Sequence, residues 1–313
     1  MSSHRFKVQG SRFNVLVLAA AALGAAPAAA QGRFTNARTE TRAATQGADA
    51  IAREVRAVAS RGGATWLGYR VPMIAGPRHM CCYDNIIDSR DLGGCCGMCR
   101  LENGSGVTMT NDVRSRDGTR IVLEPPTEFL ILARVENGAV MRLRTFTPDC
   151  DVDAGNMPVV WLTDVRAEDS VGWLSDLIKG VGTEKEKTSR VGDPALAALA
   201  MHTAPGALTA LIRFAKEAET TRLRGQALFW LAQRAGEQAM ATIANAITND
   251  PDTEVKKKAV FALSQMPKDE GIPKLIEVAR TNRNPEVRKQ AYFWLGQTHD
   301  PRAVAFFEEI LRK

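Results

Sequence analysis

Three stretches of the C-terminal part of this chain can be written in register: LRGQALFWLAQ from Leu223, VKKKAVFALSQ from Val255 and VRKQAYFWLGQ from Val287. The offset is 32 residues both times, and a degenerate copy lies 32 residues earlier, where Ala195 and Leu199 match Ala227 and Leu231. A second apolar set, Leu211, Ile243, Leu275 and Phe307, keeps the same spacing. A period of this size built from two amphipathic helices restricts the segment to an α-solenoid. Each helix pair is too small to bury its own apolar face, so its neighbours must supply the core.

At about 100° per residue, the first helix of each unit sorts into faces. The alanine four residues after Leu223, Val255 and Val287, and the leucine eight after, share one stripe and form the expected core. Trp230 and Trp294 fall in the same stripe and are read as packing residues. Phe229, Phe261 and Phe293 point away from its middle, and Gln233, Gln265 and Gln297 follow each of them at i+4 on the same face. Lys258, with Gln226 and Gln290, stands three residues before each phenylalanine. Two readings stay open. Either each phenylalanine packs sideways against the next repeat, or the rows form an apolar and amide surface for a protein partner.

The stretch NPEVRKQAYFWLG, with its Val-Arg pair, an alanine four residues after the valine and a leucine four after that, resembles the HEAT-like repeats of bacterial proteins. The resemblance covers residues 193–313, about four repeats, and implies a surface for protein–protein contact. Fold alone does not fix function.

The N-terminus has the form of an export signal. His4, Arg5, Lys7 and Arg12 precede an apolar, Ala-rich run from Asn14 to Ala30, and Ala28-Ala29-Ala30 offers an A-x-A cleavage site. Residues 1–30 are therefore expected to be a cleavable signal peptide, with the protein periplasmic or secreted. The run is shorter than the roughly 20 residues of a spanning helix and is broken by Gly24 and Pro27. No stable membrane insertion is expected after cleavage. Residues 1–30 carry three Lys/Arg and no acid, so removing them lowers the formal charge from +6 to +3. So small a charge gives no argument for nucleic acid.

Between these ends the chain changes character. Residues 31–47 are polar, without apolar periodicity, and are expected to form a flexible tail. Residues 48–180 are expected to form a β-rich domain with flanking helices. Ile51, Val55 and Val58 mark a short helix. TWLGYRVPMI, RIVLEPP and PVVWLTDV are strand-like, and EFLILARVENGAVMRLRTFTP is a hairpin closed by Asn137-Gly138. AEDSVGWLSDLIKG is a helix with acids in its first turn. The charged, glycine-bearing residues 181–192 are expected to be a linker. The fold class is thus α+β in two parts: a small β-rich, cysteine-containing domain followed by an α-helical HEAT-like solenoid over residues 193–313.

Five of the six cysteines, Cys81, Cys82, Cys95, Cys96 and Cys99, fall within nineteen residues, and Cys150 is the sixth. In an exported protein such a set reads as a disulfide framework, because thiols there meet an oxidising environment. The connectivity stays open among fifteen pairings. The alternative is a zinc or thiol-redox module carried on a HEAT-like docking arm, with His79, Cys82, Cys96 and Cys99 as ligands. Adjacent cysteines depart from two-knuckle zinc spacing, and Arg100 stands where c-type haem attachment needs histidine. Asp149, Asp151 and Asp153 resemble the start of a calcium loop, but Val160 occupies the position of its bidentate glutamate. His202 and His299 are expected in turns or on the surface. No G-x-S-x-G, HExxH or P-loop occurs, and Glu308-Glu309 has no inferred cleft. The expectation is a non-enzymatic scaffold for a protein partner, with no cofactor.

Overall fold

The computed structural model describes residues 33–45, 47, 49–75, 79–82, 99–102, 107–110, 126–148 and 151–312. Residues 31–313 form one compact unit. The expected hairpin is present. Strands β7 (Glu128–Glu136) and β8 (Ala139–Phe146) pair antiparallel through Asn137 and Gly138, whose φ values are +51° and +79°. Positive φ at both turn centres matches the right-handed twist of the flanking strands. β3 (Thr65–Pro72) pairs antiparallel with β7, and β10 (Pro158–Thr163) lies parallel to β3. Residues 33–35 and 38–43, expected to lie in a flexible tail, are strands instead. β1 (Arg33–Thr35) pairs with β9 (Asp151–Asp153), and β2 (Arg38–Ala43) pairs parallel with β10. The polar stretch RTETRA shows no apolar alternation because it is an edge strand, with nearly every residue exposed.

The result is a five-stranded sheet, β2-β10-β3-β7-β8, with a small sheet β1-β9-β5 over one face, where β5 is Cys99–Arg100. A third pair joins β4 (His79–Cys82) to β6 (Val107–Thr110). Strand alternation sorts the two faces. Trp66, Leu130, Leu132, Phe146, Val159 and Trp161 pack against Val152 of the small sheet and against Leu101 and Ala154, which follow its strands β5 and β9. Gly68 sits opposite Trp161 in register, and a Cβ there would come within 3.0 Å of the indole, so glycine makes room for the ring. Leu67, Tyr69, Val71, Phe129 and Ile131 face the helices.

Helices α1 (Ala50–Ala59) and α2 (Ala167–Lys179) cover that second face. The expected linker is ordered and packed. Helix α3 (Lys185–Lys187) runs into a π-helical turn, Thr188–Gly192, and Val181, Thr188 and Val191 are buried. One continuous core runs from the sheet through α2 into the repeats.

The repeats are α4/α5 (Asp193–Met201, Pro205–Glu217), α6/α7 (Thr221–Arg234, Glu237–Asn249), α8/α9 (Thr253–Ser264, Lys268–Thr281) and α10/α11 (Pro285–Gln297, Pro301–Leu311). Ala227, Ala259, Ala291, Leu231, Leu263 and Leu295 are buried, as the stripe requires. The basic residue after Leu223, Val255 and Val287 has a common task. Arg224 donates to the Ala218 carbonyl at 3.0 Å, Lys256 to Thr248 at 2.9 Å and Arg288 to Asn282 at 2.8 Å. Each satisfies carbonyls left open near the end of the preceding helix. The N-caps Thr220, Asp252, Asn284 and Asp300 accept from backbone N–H groups of the turn they start. Two of these caps also tie repeats together: Thr221 donates to Asp252, and Asn284 donates to Thr253 at 3.1 Å. In α11 the core position passes from Phe307, which is half-buried, to Phe306, which is buried.

The first repeat is fastened to the sheet by backbone. Met73 and His202 form an antiparallel bridge, Ile74 N–H donates to Met201 O at 2.9 Å, and Thr203 N–H donates to Pro72 O at 3.3 Å. His202, expected in a turn or on the surface, is fully buried at this joint, edge-on to Phe129 with ring centroids 5.8 Å apart. Neither ring nitrogen has a partner, and Arg234 donates to the His202 carbonyl at 2.9 Å. Burial first, and the Arg234 charge second, push its pKa down to about 4. The neutral ring is thus favoured in the folded protein. Stability from this group is complete above the unfolded value near 6.5 and is lost as pH falls to about 4, by up to about 3 kcal/mol. Urea melts at pH 7 and pH 4 are expected to show this loss, and His202→Leu should lessen the difference by that amount.

Candidate functional site

The first helices of the repeats, α6, α8 and α10, lie side by side and carry the phenylalanine row. Phe229 and Phe261 stack with centroids 5.9 Å apart and planes 5° from parallel. Phe261 also meets Trp294 at 4.8 Å. Trp230 meets Phe229 edge-on at 5.1 Å, and Phe293 meets Trp294 at 4.9 Å. The five rings form an unbroken strip across three repeats. Phe229 and Phe261 are half-buried, so sideways packing accounts for much of their surface. Phe293 is different: it is 54% exposed. The indole N–H groups of Trp230 and Trp294 are sealed from solvent and have no hydrogen-bond partner, a cost the packed rings must offset.

The amide row is uneven. Gln265 and Gln297 are exposed, while Gln233 is half-buried. Gln265 donates to the neighbouring Ser264 hydroxyl at 3.1 Å. Lys258 lies across Gly225, whose absent Cβ leaves room for its stem, and its Nζ donates to the Thr221 carbonyl at 3.4 Å. Burial, with Arg222 also contributing, lowers its pKa. Lys258 is therefore built into the contact between α6 and α8.

A polar cluster absent from the expected sites holds the strand that carries Cys99. Glu102 accepts from Trp66 Nε1 at 2.7 Å and from Arg134 Nε at 3.2 Å. Arg142 donates to the Glu102 carbonyl at 3.0 Å, and buried Arg144 to that of Leu101 at 3.1 Å. Arg134, Arg142 and Arg144 share the sheet face under the small sheet, a grouping made by the β7–β8 register. Burial, then the charge of Arg190, lowers the Arg142 pKa. Cys95, Cys96 and Cys150 lie outside the described residues, and for His79, Cys81, Cys82 and Cys99 only the strand backbone is described. Of the acidic triplet, Asp149 also lies outside. Asp153 accepts from Asn36 at 3.1 Å and from Gly155 N–H at 2.8 Å, contacts that shape a turn. Among the described residues no group of three or more His, Cys, Asp or Glu is placed to hold a metal ion. His299 takes a left-handed turn conformation with φ +51°.

Stacked helix pairs with a shared core, presenting one helical layer as a continuous side, define an α-solenoid. A family model described as HEAT repeats matches residues 208–293 and again 240–313, so this segment is a HEAT-like repeat array. No curated protein matches the chain. Among the described residues no helix is long and apolar enough to cross a membrane.

The strip separates packing from display. Phe261→Ser is expected to cost at least about 2 kcal/mol, because rings contact it on both sides. Phe293→Ser should cost less than about 1 kcal/mol. Thermal melts of the two variants, side by side, check the difference.

Proposed function

We propose that this protein is an exported, non-enzymatic scaffold whose HEAT-like array holds a protein partner along the aromatic strip at its Phe293 end. The observation that carries this reading is Phe293, a large ring left 54% exposed at the end of an otherwise packed strip, with exposed Gln265 and Gln297 nearby in the same layer. Exposed aromatic groups with amide neighbours suit a protein surface, where rings fill pockets and amides pair with backbone. HEAT repeats commonly act as contact surfaces, in keeping with this use.

A photo-crosslinking phenylalanine analogue at position 293 or 297 is expected to capture one and the same protein. The analogue at position 270, an exposed site on α9 in the other helical layer, should not. Equal capture from all three positions, or none from the first two, would sink the reading.

Export rests on the basic start, the apolar run and Ala28-Ala29-Ala30. The cysteines would then be held as disulfides and the mature chain would begin at Gln31. On protein isolated from its own compartment, N-terminal sequencing should begin at Gln31. No thiol should titrate until a reductant is added, after which six should react. Free thiols with stoichiometric zinc would favour the metal module instead.

A further inference from the structure

Between the end of α2 and the pair α5 and α6 lies a cavity of about 340 Å³. Sites for small molecules run from about 300 to 1,000 Å³, so this one suits a small ligand. Buried Ile178, Phe214, Ala218 and Leu223 form its apolar floor. The repeat register explains why there is room. At the next junction Arg224 pairs with Asp250 at 3.1 Å and donates to the Ala218 carbonyl at 3.0 Å, which ties the start of α6 to the end of α7. Gly192 and Ala218 stand 32 residues before Arg224 and Asp250. Their side chains cannot form this tie at the first junction. The end of α5 is left with a short side chain, and the cavity opens beside it.

The rim carries both signs of charge. Lys179 is held by Asp176 at 3.1 Å. Arg213, Glu217 and Glu219, all exposed, complete the rim. Arg213 and Glu217 stand at i and i+4, a helical spacing that favours ion pairs. They do not pair. The Arg213 guanidinium instead lies over the Phe214 ring, 5.4 Å from its centroid. Among the described residues Arg213 has no acidic partner, and the carboxylates of Glu217 and Glu219 have no basic one. A ligand of one charge meets its own sign on this rim. A ligand bearing both signs finds an unpaired group for each.

We propose that this cavity binds a small apolar zwitterion of the amino-acid class. Its carboxylate meets Arg213, its ammonium meets the carboxylates of Glu217 and Glu219, and its side chain lies on the apolar floor. The cavity shares no residue with the aromatic strip, so the proposal does not depend on the reading of the repeats as a partner surface.

The test titrates the full chain with L-phenylalanine, N-acetyl-L-phenylalanine, L-phenylalaninamide and glycine, and follows the methyl resonances of Ile178 and Leu223. Phenylalanine should bind and shift both. The acetylated form lacks the ammonium and the amide lacks the carboxylate, and each should bind about fivefold more weakly. Glycine, with no side chain to bury, should bind at least about thirtyfold more weakly. Arg213→Ala should weaken phenylalanine about fivefold and leave the amide unchanged. Glu217→Gln combined with Glu219→Gln should weaken phenylalanine similarly and leave the acetylated form unchanged. Ala218→Leu fills the cavity and should abolish binding. The rim variants alter exposed side chains only, so they carry the test even if Ala218→Leu fails to fold. Equal binding of phenylalanine and its two singly charged analogues, methyl resonances unmoved by phenylalanine up to about 10 mM, or undiminished binding to Arg213→Ala would overturn the proposal.

Discussion

The joint between the sheet and the first repeat governs how the rest of the molecule is arranged. Leu67, Tyr69, Val71, Phe129 and Ile131 project an apolar face that α1 and α2 extend and that α4 continues. Burying this face is non-directional and would tolerate several dockings. The backbone bridge at Met73 and His202, with its flanking hydrogen bonds, selects one. Once α4 is held, each later helix pair has a surface to stack on, and the same Leu/Val, Ala and Leu pattern can repeat.

Two kinds of information in the chain behave differently. The repeats and the hairpin were legible in the sequence because their causes are local. A 32-residue period, an Asn-Gly dipeptide and an Asp or Asn before a helix act through neighbours in sequence. The first strands were not legible, because Arg38–Ala43 becomes a strand only by pairing with β10, more than a hundred residues away. Residues 181–192 looked like a linker for the same reason: Val181 and Val191 are isolated in sequence and buried only through what they meet across the fold.

The candidate surfaces follow this division. Helical geometry puts Phe229, Phe261 and Phe293 on one face and treats the three as equal. Ring stacking between helices, a property of crossing geometry, buries part of the first two and leaves Phe293 exposed. Lys258 shared a row with Gln226 and Gln290, yet Gly225 on the adjacent helix draws it into a packing role. The Glu102 cluster and the buried His202 leave no mark in sequence spacing, since each gathers residues from several strands or helices.

The N-caps have a consequence for how the array yields. Asp252 begins its own helix and accepts from Thr221 of the preceding repeat, and Asn284, which begins the next repeat, donates to Thr253. Losing one repeat thus loosens the cap that the previous repeat leans on, so disorder is handed from unit to unit. The first unit is pinned to a sheet, while α11 leaves Val304 and Leu311 53% and 84% exposed. Opening should therefore reach the first unit last, since its backbone is stitched to the sheet as well as stacked on the next repeat.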